Sequence, residues 1–211
     1  QGLRGIERTG GTFEMIKVLI ANGFPVLIEN VYYDGGDVMR DWMSHNRVIM
    51  GYDDTLGIFY AYDPLRGNGE GPGLTFEYGF IEERWRPMLR NYMILYEPGD
   101  EAFLQAVMGE QWDVATNAEW TLQQVQADLA RPATDSFDNF NLGTALVALG
   151  RYDEAATAFD GARAIGLPFR MLWYQFGPFE AYLQVGRYAD VYALTRSVIG
   201  DAPGVEEMYY Y

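Results

Sequence analysis

Apolar and polar positions follow two different periods along this chain, and the change between them divides it. Up to about residue 98, short runs with strand spacing alternate with a few helical stretches. Phe13, Ile16, Leu19 and Ile20 recur at helical spacing, and Asn22-Gly23 supplies a C-terminal stop, so a helix is expected over 12–22. Pro25-Val26-Leu27-Ile28-Glu29 reads as a short buried strand. Gly35-Gly36-Asp37 reads as a loop. Residues 47–52 and 57–62 read as two strands joined around Asp53-Asp54-Thr55-Leu56-Gly57, a hairpin with glycine in its turn. Four glycines and a proline within 67–73 predict a mobile surface loop. A helix over 80–90 and a strand over 92–96 complete this part, and Glu97-Pro98-Gly99-Asp100 is the expected boundary.

Beyond that boundary the strand period disappears, and helix is expected after helix. Gly-Arg-Tyr recurs at 150–152 and 186–188, a step of 36. Ahead of the first copy, Leu142, Ala145, Leu146 and Leu149 share one helix face at i, i+3, i+4, i+7. Ala155, Phe159 and Ala162 line the facing helix, and Gly150 turns the chain between the two. Small alanines let paired helices approach closely, and Pro168 and Pro203 close the units. A weaker pair is expected over 101–109 and 113–129. Gly143, Gly150, Tyr152, Ala155, Phe159 and Ala162 are similar to the pattern of tetratricopeptide repeats, a resemblance that covers about 136–211. The second copy fits less closely, with Val191 and Thr195 where the pattern has Ala and Phe. Residues 206–211 resemble the opening of a further repeat. The resemblance implies a protein partner held on the helical repeats.

Composition narrows the function classes. With 49% hydrophobic and 16% aromatic residues among 211, a packed core is the expectation, and no apolar run has the length of a membrane-spanning helix. The formal net charge is −15, with nine basic and fourteen acidic side chains in 1–98 and six and sixteen in 99–211. Such a field repels a phosphate backbone, which argues against a nucleic-acid partner. There is no cysteine and one histidine, so disulfides, thiolate metal sites and histidine metal centres are not expected, nor is any cofactor. The chain starts on Gln and closes on Tyr209-Tyr210-Tyr211, a run not expected to face solvent, and is read as an internal piece of a longer protein. No leader is present from which a compartment could be assigned.

The single histidine opens the most informative stretch, His45-Asn46-Arg47-Val48-Ile49-Met50-Gly51-Tyr52-Asp53-Asp54, which a returning strand closes at Tyr62-Asp63-Pro64. If 53–57 is the turn, cross-strand partners sum to about 110, so Tyr52 faces Ile58 and Arg47 faces Asp63. His45, two residues from Arg47, then projects on the same face as Asp63. A one-residue slip would put the two on opposite faces. A carboxylate beside an imidazole fixes its tautomer and stabilises the imidazolium, as a thiol-activating base requires. An ordinary strand-edge histidine beside an Asp-Pro turn is the alternative the spacing leaves open. Other candidates carry less. Glu82-Glu83 and Asp53-Asp54 are neighbouring carboxylates that diverge, Asp53-Asp54 with Asp63 lacks EF-hand spacing, and 67–73 lacks the Lys-Ser/Thr of a phosphate loop. Trp173-Tyr174-Gln175-Phe176 and the tyrosine tail read as helical core.

Gly23-Phe24-Pro25-Val26, then His45, Val48, Ile49, Gly51, Tyr52 and Asp53, then Asp63-Pro64, stand in the order of a known pattern. Over about 10–97 the chain resembles the papain-like cysteine peptidases of the bacteriocin-leader-processing type and their peptidase-like relatives. Tyr78-Gly79-Phe80, Trp85-Arg86 and the strand over 92–96 suit the family's closing helix and strand. The resemblance implies an α+β papain-like half-domain with an antiparallel sheet over 1–98, followed by an all-α array of tetratricopeptide-like hairpins over 99–211. It implies that His45 is the general base, that Asp63 orients it, and that a peptide or protein is the substrate. In that family the nucleophilic cysteine lies on a helix further upstream, shortly after an oxyanion-hole glutamine. Gln1 does not match that glutamine, since no cysteine follows, so a thiol would have to precede this piece or be lost. Asn46 also departs from the usual residue after the histidine. Proteins of this combined type are often exported, which suggests an extracellular or cell-envelope setting for the complete protein.

Overall fold

The computed structural model describes residues 2–33 and 38–211. Gln1 and the loop expected at Gly35-Gly36-Asp37 lie outside the described residues. The elements, in chain order, are β1 (Arg4–Arg8), α1 (Phe13–Ala21), β2 (Val26–Tyr32), α2 (Val38–Asp41), β3 (Met43–Asp53), β4 (Ile58–Tyr62), β5 (Leu74–Glu77), α3 (Tyr78–Trp85), β6 (Tyr92–Tyr96), α4 (Glu101–Met108), α5 (Val114–Leu129), α6 (Ser136–Ala148), α7 (Tyr152–Ile165), α8 (Gly177–Gln184) and α9 (Tyr188–Asp201). Contacts gather these into two compact units. One is the chain up to Tyr32 with Ser44–Thr121, and the other is Tyr33–Met43 with Leu122–Tyr211.

The first unit is built on a six-stranded sheet of order β1-β6-β2-β3-β4-β5. The register given for β1 with β6, β2 with β6, β3 with β4 and β4 with β5 is antiparallel throughout. Alternate residues of each strand point inward, as a half-buried sheet requires: Phe59 and Ala61 on β4, Ile94 on β6, Ile49 on β3. Thr12 caps α1 by accepting from the Met15 amide, and the buried Ile16 and Leu19 seat that helix on the core. The helical stretch expected over 80–90 starts earlier, at Tyr78, and ends in a 3-10 turn at Arg86–Met88. Leu89 and Arg90 follow with φ of 54° and 46°, two left-handed residues that turn the chain into β6. Gly11 is required by packing, because a Cβ there would sit 2.6 Å from the Trp85 ring.

Two strands were not anticipated, β1 and β5. Both are short edge strands: β1 is largely exposed, and β5 offers only Leu74 and Phe76 as an apolar alternation, too brief to mark a strand. From Pro98 onward the described residues are helix, 3-10 turn and loop, with no strand. The first of these helices and the start of the second, up to Thr121, nevertheless group with the sheet. Leu104 and Met108 of α4 join its core cluster. Asn117 of α5 bonds the backbone of Thr9 at both ends of its amide, and Trp120 Nε1 donates to Gly10 O at 2.9 Å.

In the second unit the 36-residue step reappears as backbone geometry. Gly150 and Gly186 have φ of 69° and 74°. The next amide, of Arg151 or Arg187, reaches back to the carbonyl five residues earlier, Leu146 or Tyr182. This is the glycine-dependent helix stop, used twice. Asp135 and Asp138 form a reciprocal cap at the start of α6. Ala155, Phe159 and Ala162 are buried as anticipated, and the Phe159 ring occupies the space a Cβ at Gly143 would take. Leu142 and Leu149 are only half-buried. The segment Tyr33–Met43 belongs to this unit because Trp42 is fully buried against Tyr174 and the Arg170 guanidinium donates to the Arg40 carbonyl. At the tyrosine run, Tyr209 and Tyr210 are exposed, at 68% and 83%, and Tyr211 stacks on Phe179, so the first two do not form helical core.

Candidate functional site

The site is the open end of the β3–β4 ribbon. Near the turn the strands pair with Tyr52 opposite Phe59 rather than Ile58, one residue off the expected register. A bulge between Ile49 and Gly51 takes up the extra residue, and beyond it Val48 faces Tyr62 in the register first expected. The side chains at the open end therefore fall as the spacing required. Arg47 and Asp63 meet, with Arg47 Nε donating to Asp63 Oδ2 at 2.7 Å. His45 lies beside them, with Nε2 at 3.0 Å from Asp63 Oδ1.

The position of Asp63 is over-determined. Its backbone forms a bridge with Gly67, donating to that carbonyl and accepting from that amide. Its Oδ1 also accepts from the amides of Leu65 and Arg66, at 2.9 and 3.0 Å, the turn that an Asp-Pro start favours. Asp63 is fully buried. Burial pushes its carboxyl up, but the Arg66 amide, His45, the Leu65 amide and the Arg47 charge together hold it below the ordinary carboxylate value. An ionised carboxylate only accepts, so Nε2 of the neutral imidazole carries the proton and Nδ1 presents the lone pair. The His45 side chain is 12% exposed, and its ring lies 5.6 Å from that of Tyr32.

The spacing marks Arg47 only as the residue facing Asp63, and in the structure it has a large share in the geometry. It is a fully buried arginine that precedes the apolar run Val48-Ile49-Met50. Its guanidinium lies 4.8 Å from the Phe76 ring centroid and 5.4 Å from that of Phe80, a cation–π setting on the side away from the carboxylate. Among the described residues neither Nη1 nor Nη2 has a hydrogen-bond partner. Burial first, and then repulsion from Arg66 and Arg84, oppose its charge, while Asp63 favours it. An arginine keeps its proton under such pressure.

The weaker candidates are not brought to this point. Asp53 Oδ1 accepts from the Thr55 and Leu56 amides and serves the hairpin turn. Asp54 pairs with Lys17 at 2.5 Å and accepts from the Tyr78 hydroxyl at 2.9 Å. Glu82 is held by Arg90. No cluster of three or more His, Asp or Glu that could hold a metal occurs among the described residues. Among the same residues no helix is long and apolar enough to cross a membrane.

Comparison with known proteins bears on the same stretch. No curated protein matches the chain. Among solved structures, one from Bacillus anthracis described as a C39-like peptidase aligns at 20% identity with a TM-score of 0.35. The alignment covers 44% of this chain and 51% of the other, so the chain spans about half the length of that relative. A family model matches as well, and residues 3–93, which contain His45, Arg47 and Asp63, are by that match similar to the Peptidase_C39 like family.

Proposed function

We propose that residues 3–93 supply the base half of a cysteine-peptidase site, with His45 as general base and Asp63 as the residue that orients it. The observation that carries this reading is the 3.0 Å contact from His45 Nε2 to Asp63 Oδ1, which leaves Nδ1 as the free acceptor. A thiol at Nδ1 would lose its proton to the ring as its sulfur bonds to a peptide carbonyl carbon. The carbonyl oxygen would take the electron pair. The imidazolium, stabilised by Asp63, would then protonate the leaving amine as the C–N bond breaks. Water, deprotonated by the same ring, would release the acid from the thioester. The 211 residues contain no cysteine, so the thiol must come from outside this sequence, and these residues alone hydrolyse no peptide.

The test uses the complete protein, a thiol-directed peptide probe and a peptide substrate. Both labelling and turnover are expected, and His45→Ala should lower turnover by about 10²–10⁴-fold, the usual worth of general acid–base catalysis. A complete protein with no cysteine on a helix preceding these residues would end the catalytic reading.

A second reading rests on the helical unit, where the repeated turn and a cavity of about 470 Å³ suit a scaffold for a protein partner. Leu122, Leu129, Leu142 and Leu146 line this cavity, with Arg151 and Glu154 beside them. On this reading His45→Ala leaves partner capture intact while Leu142→Asp abolishes it. Loss of capture on His45→Ala alone would count against it.

A further inference from the structure

Asp63 has two carboxylate oxygens and four side-chain or backbone donors, and the donors are divided unevenly. Oδ1 takes the two turn amides and the imidazole, and Oδ2 takes Arg47 Nε alone. The turn amides set the height of the carboxylate. They do not by themselves stop its rotation about χ2, which is a soft torsion for an aspartate. The contact to Oδ2 stops it. The guanidinium that makes this contact cannot drift, because the Phe76 and Phe80 rings back it and no solvent reaches it.

We propose that Arg47 is a positioning residue for His45, acting through Asp63: its Nε–H occupies Oδ2 and so keeps Oδ1 directed at the imidazole Nε2. The proposal rests on the reading of His45 as a general base. Among the described residues its two Nη groups are unpartnered, and its side-chain hydrogen bond is the contact from Nε to Oδ2. The charged or polar groups around the trio are Arg66 and Arg84 on the Arg47 side and the Tyr32 ring on the His45 side.

The chain has one histidine, so its imidazole nitrogens give a single set of signals in a nitrogen-15 spectrum. In its neutral form the parent's ring should show one tautomer, with Nε2 protonated and Nδ1 bare. Arg47→Met removes the Nε–H and keeps the bulk, and the single tautomer should be lost to an exchange-averaged mixture. Arg47→Lys, which keeps a cation without the planar Nε–H, should recover it only in part. An Arg47→Met protein that is folded and keeps the parent's tautomer overturns the proposal. Should neither variant fold, the parent still decides. Its Arg47 Nε–H must exchange with water as slowly as the buried Ile49 amide, and exchange at the rate of a free guanidinium overturns the proposal as well. No thiol is needed for these measurements. A complete protein without peptidase activity would therefore refute the reading of His45 and leave the tautomer result standing, whereas an indifferent tautomer would refute only the role of Arg47.

Discussion

Asp63→Ala is the perturbation for which the structure makes the firmest demand. It removes the counter-ion of a guanidinium that no solvent reaches. Breaking a buried ion pair from one side costs about 3–5 kcal/mol, because the remaining charge is left uncompensated. The Leu65 and Arg66 amides also lose their acceptor, but both residues are exposed and water replaces it, so this adds little. The expected total is near 4 kcal/mol, which for a chain of this size lowers the melting temperature by roughly 8–16 °C. Arg47→Met combined with Asp63→Ala removes both charges and leaves an apolar side chain against Phe76 and Phe80. That double variant should be about 2 kcal/mol or less below the parent, so the two changes are far from additive. Hydrogen exchange at the β3 and β4 amides reads the stability of the first unit separately from the helical one. The reasoning fails if Asp63→Ala costs less than about 1 kcal/mol, or if the double variant costs the sum of the singles.

Other outcomes follow from single features. The Asp63 carboxyl is held below its ordinary value of 3.8, so its contribution to stability is complete above that value and is lost as pH falls through the folded-state value. Removing the Arg47 charge raises the folded-state value, so acid unfolding of Arg47→Met, followed by circular dichroism, should begin at a higher pH than in the parent. Gly143→Ala would place a Cβ 2.6 Å from the Phe159 ring, and overpacking of this kind should destabilise the second unit by about 1–3 kcal/mol in denaturant titrations. A change below about 0.5 kcal/mol would show that α6 and α7 separate easily. The Tyr92 hydroxyl is buried without a hydrogen-bond partner among the described residues, so Tyr92→Phe should be neutral or stabilising by up to about 1–2 kcal/mol, and a clear loss would reveal a partner for that hydroxyl.

Much of the first unit was written locally. The helix over 12–22 is an apolar stripe with its own cap and stop, and β6 was expected at the residues it occupies, because each signal lies within one element. The Gly-Arg-Tyr step marked a recurring unit with Gly150 as a chain turn, and the positive φ found at Gly150 and Gly186 is a local demand that glycine meets. The spacing of His45 and Asp63 around a short turn likewise placed them on one face, since side chains alternate strictly along a strand.

What the chain could not show by itself depends on neighbours distant in sequence. β1 and β5 form because a sheet already present offers them an edge, and nothing in their composition requires it. The bulge at Ile49–Gly51, which restores the register at His45, is a property of two strands together. The same holds for the fate of α4 and Tyr33–Met43, each of which packs with the unit that supplies an apolar surface for it. Arg47 shows the difference most directly. In the sequence it closes the polar stretch Ser44-His45-Asn46-Arg47 ahead of Val48-Ile49-Met50, and only packing turns it into a buried cation. A charge can be buried there because β4 brings a carboxylate to one side of it, while β5 and α3 bring aromatic faces to the other.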